Sequence, residues 1–198
     1  MFNRKKKYDN SSDEDLMRLS AKGQEKAFEA LYDRYATLMF RYFCRMLGND
    51  RNKAEDFVQD LFAKIIHQPK AYNPERAFKT WIYSVANNMC KNEYRRLAVR
   101  KNTNNSLDAG MDVAGSDHLE PIRAMDSELF DTALREALNQ LDDKQREAFI
   151  MRYQQEMSIK EIAAVYSCSE GTIKSRLFYT LRKLSEQLKV FNPKGIRT

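Results

Sequence analysis

Glycine and proline are scarce, six and four in a chain of 198 residues. With so few turn formers, and with no run in which apolar and polar side chains alternate, β-rich architectures are excluded and helical spacing is the dominant signal. Cysteine and histidine are few as well. Cys44, Cys90 and Cys168 lie far apart, and neither His67 nor His118 stands near any of them in the chain, so neither a disulfide framework nor a zinc pattern can be written. Cys44 and Cys90 fall in strongly helical segments, where small buried thiols are ordinary and a nucleophilic role has no support. There is no glycine-rich phosphate loop, so neither a metal nor a cofactor is expected, and an enzyme is the least favoured reading. No apolar run approaches the about 18 residues that a membrane span requires. The opening MFNRKKKYDNSSDED has cations but no apolar core, so no signal peptide is expected and the protein is placed in the cytoplasm without membrane insertion.

What is present is charge. The formal net charge is +6, which suggests a polyanionic partner, yet Asp and Glu together number 28, so the basic character must be local and some acidic surface must coexist with it. One interval, KNTNNSLDAGMDVAGSDHLEPIRAM at 101–125, is rich in Asn, Asp, Ser and Gly and has too few bulky apolar groups to pack. The expected organisation is therefore all-α, two small helical domains joined by a flexible linker: a disordered basic tail at 1–12, a four-helix domain at 13–100, an acidic linker at 101–125, a helix-turn-helix (winged-helix-like) domain at 126–191 and a tail at 192–198. Fully extended, the linker reaches about 80–90 Å, enough for contacts two DNA turns, roughly 70 Å, apart.

The most telling stretch is SIKEIAAVYSCSEGTIKSRLFYTLRKL at 158–184. Ser158 and Glu161 form a capping box ahead of apolar Ile162, Ala163 and Val165. The segment Ser167-Cys168-Ser169 interrupts that helix, and Ser169 is placed to cap a second one. In the second helix Ile173, Leu177, Leu181, Leu184 and Leu188 share one face, which must be buried. At about 100° per residue the opposite side carries Ser175, Tyr179 and Arg182, flanked by Thr172, Lys174, Arg176, Phe178 and Lys183. Long donors, hydroxyls and an apolar ring are what a major groove takes. A solvated amphipathic helix is the plainer reading; the capped short helix and tight turn favour DNA.

In the N-terminal part, helical spacing predicts helices over 13–22, 24–47, 51–66 and 77–100. Their buried stripes are Leu16 and Leu19; Phe28, Leu31, Tyr35, Leu38, Tyr42, Met46 and Leu47; Ala54, Val58, Leu61 and Ile65; and Phe78, Trp81, Ile82, Val85, Ala86 and Met89. Pro69 and Pro74 enforce a loop before the last. Two faces are left over. On the third helix Asp56 and Asp60 stand four apart beside Glu55 and Gln59, a like-charge pair that needs solvent or a cationic partner. Spacing alone leaves both readings open. On the fourth helix Lys79, Tyr83, Asn87, Lys91 and Arg95 recur every four residues, with Arg96, Arg100 and Lys101 beyond. Cations interleaved with aromatic and amide groups suit single-stranded DNA.

Together, KAEDFVQDLFAKI at 53–65, FKTWIYSVANNMCKNEYRR at 78–96, and LDDKQREAFIMRY followed by MSIKEIAAVYSCSEGTIKSRLFYTLRKL at 141–184 resemble bacterial RNA polymerase sigma factors of the extracytoplasmic-function (ECF) type. The resemblance covers about 13–100 (region 2) and 127–190 (region 4). It implies that Asp56, Gln59 and Asp60 dock on the coiled coil of the polymerase largest subunit. It implies that the loop at 68–76 and the start of the fourth helix capture a flipped base of the minus-ten element, with Tyr72, Asn73, Lys79, Tyr83, Asn87, Asn88, Lys91 and Arg95 as DNA contacts and Trp81 as a support. In the minus-thirty-five element, Lys174, Ser175, Phe178 and Tyr179 would face bases, and Thr172, Arg176, Arg182 and Lys183 phosphates. Tyr179 stands where the family commonly has Arg, and the turn Gln154-Gln155-Glu156-Met157, which would meet the flap of the second-largest subunit, lacks the common Glu-Gly. The acidic Asp108, Asp112, Asp117 and Glu120 of the linker would run towards the active centre. An anti-sigma factor is a further implied partner. The competing reading is a helix-turn-helix transcriptional regulator acting without polymerase.

Overall fold

The structure, a computed structural model, describes residue 8, residues 10–103 and residues 123–191, with side chains to 100 and from 129. Among the described residues there are eight α-helices and no strand. They fall into two compact units, one built mainly of the helices before residue 104 and one mainly of those after residue 122, with Ala164–Tyr166 grouped with the first.

In the N-terminal unit, α1 (Asp13–Ser20), α2 (Glu25–Met46), α3 (Arg51–His67) and α4 (Phe78–Thr103) lie where helical spacing puts them. Local chemistry sets their ends. The Ser12 hydroxyl accepts from the Asp15 amide at 3.1 Å, and Asp13, Glu14 and Asp15 lie in the first turn, where the helix dipole favours anions. Asp50 caps α3 through the Lys53 amide at 3.0 Å. Between α1 and α2 the chain turns at Gly23, whose φ of +79° is open to glycine without steric cost.

The core of this unit is aromatic. Tyr42 meets Tyr83 edge-on at 5.4 Å between centroids, Tyr35 meets Phe78 at 5.2 Å, and Phe43 meets Phe57 at 5.3 Å. On α2 the stripe bends away from expectation: Leu38 is exposed and Met39 and Phe43 are buried instead. On α3 Ala54, Val58, Leu61 and Ile65 are buried as spaced, joined by Phe62. Polar clamps tie the helices together. Glu93 on α4, 6% exposed, receives Lys53 of α3 at 2.6 Å and Arg96 at 2.8 Å, and the Tyr94 hydroxyl donates to the Met46 carbonyl at 2.6 Å. Asp13 of α1 accepts from the Tyr35 hydroxyl and from Arg34; burial first, and then that carboxylate, push the Tyr35 phenol far up. Arg34 also donates to the carbonyls of Tyr8 and Ser11 at 2.9 Å each, tying both residues to α2.

The C-terminal unit contains α5 (Arg123–Asn139), α6 (Asp143–Phe149), a π-turn at Ile150–Gln154, α7 (Ile159–Tyr166) and α8 (Glu170–Gln187). Ala137, Leu138, Leu141, Phe149 and Leu184 form one cluster of its core, with Leu134 and Leu188 packed against them, and Ile150, Met151, Met157, Ile162 and Ile173 are fully buried as well. The capping box is realised in both directions: the Ser158 amide donates to Glu161 at 2.7 Å and the Glu161 amide to the Ser158 hydroxyl at 3.2 Å. Ser169 caps α8 through the Thr172 amide at 3.1 Å. Of the expected apolar face of α8, Ile173, Leu177 and Leu184 are buried, whereas Leu181 is 41% exposed and Thr180 takes the inward position. The Thr180 hydroxyl is satisfied by the Arg176 carbonyl at 2.7 Å, which lets a polar side chain sit there. The interval expected as linker is helical at both ends, since α4 runs to Thr103 and α5 starts at Arg123; Asp108, Asp112, Asp117 and Glu120 lie outside the described residues, as do the basic residues 4–7 and the tail 192–198.

Candidate polymerase and nucleic-acid interfaces

The acidic face of α3 is open. Asp56, Gln59 and Asp60 are exposed on the side away from Ala54, Leu61 and Ile65. Among the described residues neither aspartate is in an ion pair, although cations elsewhere in the same unit are paired. Helical spacing did not reveal that this face borders a groove of about 340 Å³, formed by Tyr32, Ala36, Thr37 and Phe40 of α2 with Glu55, Val58 and Gln59 of α3. Its α2 wall was legible only as residues left off the buried stripe. Tyr32 is 43% exposed, and the Arg51 guanidinium lies 5.4 Å from the Phe40 ring centre.

The expected minus-ten residues divide in two. Asn73, Asn88 and Arg95 are exposed, and Lys79 and Lys91 are half-buried. Tyr72, Tyr83 and Asn87 are buried, being 6%, 1% and 1% exposed. Steps of four residues advance about 400°, so each step drifts some 40° and the stripe from Lys79 to Arg95 turns through about 160° around the helix. Its middle members therefore enter the core. Tyr72 is a strut rather than a platform: its hydroxyl donates to the Arg76 carbonyl at 2.6 Å, and its ring meets Trp81 at 5.2 Å and Phe78 at 5.8 Å. Burial pushes its phenol up, reinforced by Glu14. Trp81 is half-buried, its ring 5.2 Å from that of Tyr72 and 5.7 Å from that of Phe78. In the loop the exposed Asn73 accepts at its side-chain oxygen from the Glu75 amide at 3.0 Å, a local turn.

On α8, Thr172, Lys174, Ser175, Phe178, Tyr179 and Arg182 are exposed. Phe178 and Tyr179 are 61% and 58% exposed and meet edge-on at 5.5 Å, an apolar step in a cationic face. Two expected phosphate contacts are engaged within the unit. Lys183, half-buried, donates from Nζ to the Gln140 carbonyl at 3.0 Å, capping the end of α5, while Gln187 bonds the Gln140 side chain at 2.7 Å. Arg176 is half-buried. Thr172 shares its hydroxyl with the Ser169 cap at 2.9 Å. In the preceding turn Arg152 donates to the Met157 carbonyl at 2.9 Å and Glu156 holds φ at +53°, where a glycine would be unstrained.

An acidic helix face on one unit and a cationic helix-turn-helix on the other define a two-module DNA-binding factor. Two family models match the chain, Sigma-70 region 2 over residues 31–100 and Sigma-70, region 4 over residues 131–184. The chain is 32% identical over 166 residues to the ECF RNA polymerase sigma factor SigL of Mycobacterium tuberculosis (strain H37Rv), covering 83% of this chain and 90% of that one. It is 28% identical over 179 residues to the ECF RNA polymerase sigma factor SigW of Bacillus subtilis (strain 168), covering 85% and 92%. In fold it is similar to the sigma factor RpoE of Bartonella quintana, solved with the anti-sigma factor NepR, at a TM-score of 0.68 and 24% identity over 83% of this chain and 98% of that one. The chain belongs to the sigma-70 family, in its ECF group. It is a sigma factor, a regulatory DNA-binding factor of transcription initiation that directs RNA polymerase to promoters.

Proposed function

We propose that the protein works as a dissociable promoter-specificity subunit without catalysis of its own, in the cytoplasm, and that its two modules span about 13–100 and 126–191. The α3 face of Asp56, Gln59 and Asp60 docks on the cationic coiled coil of the largest polymerase subunit. The loop 68–76, carried on the Tyr72–Phe78–Trp81 cluster, offers Asn73, with Lys79, Asn88, Lys91 and Arg95 along α4, to the unpaired strand of the minus-ten element. Unstacking a base costs a few kcal/mol, so a pocket that hydrogen-bonds it stabilises the open strand. In the duplex upstream element Lys174, Ser175, Phe178 and Tyr179 face bases and Thr172 and Arg182 phosphates, while the turn 154–157 meets the flap of the second-largest subunit.

The observation that carries this reading is the pair of aspartates that, among the described residues, have no cation of their own, in a chain of net positive charge. A regulator acting without polymerase has no use for them. Because RpoE of B. quintana was solved with the anti-sigma factor NepR, an inhibitor of that kind is proposed here too. Transcription in vitro with core RNA polymerase and a random promoter library tests the whole: the purified protein should select promoters sharing two elements. The double variant Asp56→Lys/Asp60→Lys should lose core binding while unfolding within about 0.5 kcal/mol of wild type, as surface changes do. Unimpaired co-purification of that variant with core enzyme would refute the docking face.

A further inference from the structure

The first helix reaches the promoter-opening loop through one carboxylate. Glu14 of α1 accepts, at Oε1, the backbone amide of Phe78 at 2.9 Å, across 64 positions of sequence. Phe78 is the first residue of α4, directly after the loop 68–77, and its own ring is fully buried against Tyr35 and Tyr72. An amide in the first turn of a helix has no partner within that helix, and a negative group there also meets the favourable end of the helix dipole. The adjacent Asp13 fastens the same turn of α1 to Tyr35 and Arg34 of α2. Consecutive carboxylates on α1 thus hold two different helices, one holding the long α2 and the other the exit of the loop.

Within the loop the bonds are local: the Ala71 and Tyr72 amides to the Gln68 and Pro69 carbonyls, the Tyr72 hydroxyl to the Arg76 carbonyl, the Arg76 amide to the Asn73 carbonyl and the Glu75 amide to the Asn73 side-chain oxygen. The Tyr72 ring, packed on Phe78 and Trp81, is the loop's own hold on the core. The direction in which Asn73 is presented therefore depends on that ring and on how the two ends of the segment are fixed. At the entry that is the 3-10 turn Pro69–Ala71, whose proline limits the backbone. At the exit it is the Glu14 bond together with the buried Phe78 ring.

We propose that Glu14 is a positioning residue for promoter opening: by capping α4 from outside the loop it sets the geometry in which the loop presents Asn73 to the unpaired minus-ten base. The proposal rests on the base-capture reading of the loop. A charge-assisted bond to a backbone amide that is lost without replacement slows any step that needs the geometry by about tenfold or more.

The test uses full-length protein with core RNA polymerase on a library-selected promoter. Glu14→Ala should bind core polymerase and the upstream duplex as wild type does and form open complexes about tenfold or more slowly. Glu14→Gln, which keeps an acceptor oxygen, should recover most of that rate. Asn73→Ala is run beside them. Wild-type opening by Glu14→Ala, with Asn73→Ala defective, overturns the positioning role alone. Normal opening by Asn73→Ala overturns the base-capture reading and the proposal with it. A Glu14→Ala protein that loses core binding in step with opening, unrescued by Glu14→Gln, makes Glu14 a residue of general stability and also overturns the proposal.

Discussion

Tyr83→Ala separates the two roles available to the fourth helix. The ring is 1% exposed and stands edge-on to Tyr42 at 5.4 Å, in the middle of the four-helix core. Truncating a buried aromatic to alanine costs about 3–5 kcal/mol in lost transfer energy and residual cavity, of which an aromatic pair of this geometry supplies about 0.5–1.5. For a domain of under about 100 residues each kcal/mol moves the midpoint by roughly 4–8 °C, so thermal unfolding should fall by more than about 10 °C. Circular dichroism of the full chain, with urea unfolding as a second measure, reads this directly. Asn88→Ala, exposed on the same helix, should leave unfolding within about 0.5 kcal/mol of wild type and slow promoter opening, read by permanganate reactivity at the bubble. A Tyr83→Ala protein that unfolds as wild type does yet fails to open promoters would refute the burial argument and return Tyr83 to the DNA face.

The strained turn offers a gain: Glu156→Gly relieves a left-handed φ of +53° and, after the entropy cost of glycine, should raise stability by about 0.5–1 kcal/mol in urea titration. Acid should loosen the α3–α4 clamp. Burial alone would push the Glu93 carboxyl up, but hydrogen bonds and charge from Arg96 and Lys53 outweigh it and hold the group below its ordinary range. A depressed carboxylate contributes stability that is fully present above its unfolded value, about 4.3, and is lost as pH falls through the folded one. Wild type should thus lose more stability than Glu93→Gln between pH 6 and pH 3 by urea unfolding, and equal losses would remove the clamp. Finally, Lys174→Ala should weaken duplex promoter binding by about 1–3 kcal/mol and relax specificity at one base pair. Lys183→Ala should instead lower the thermal midpoint and leave the salt slope unchanged, since its ammonium caps α5; a slope reduced by about 0.9 would make it a phosphate contact.

Local chemistry was legible along the chain because it acts over three or four residues. Ser158 with Glu161, and Ser169 with Thr172, make the caps their spacing implies, and the four helices of the N-terminal unit and the two of the helix-turn-helix follow from periodicity and its interruptions, whereas α5 and α6 were not read from it. The exposed face of α8 and the aspartates of α3 were readable for the same reason, each lying opposite a mainly apolar stripe. Helix α4 was not, because it is enclosed on more than one side: Thr80, Tyr83, Asn87 and Glu93 are buried there beside Phe78, Ile82 and Ala86. Once polar groups can be satisfied by neighbours, hydrophobicity no longer marks the inner face.

The sequence by itself determined six of the eight helices, the capped starts of the helix-turn-helix, the division into two modules and the signs of the two outward faces, all consequences of short-range bonding and of charge that travels with the residue. Only the tertiary structure decided which members of those faces are free to act. Tyr83 and Tyr72 are consumed by packing, Lys183 by the end of a neighbouring helix, and Glu14 is brought to Phe78 from far along the chain. Such partners are set by how helices cross, and no interval along the chain encodes a crossing.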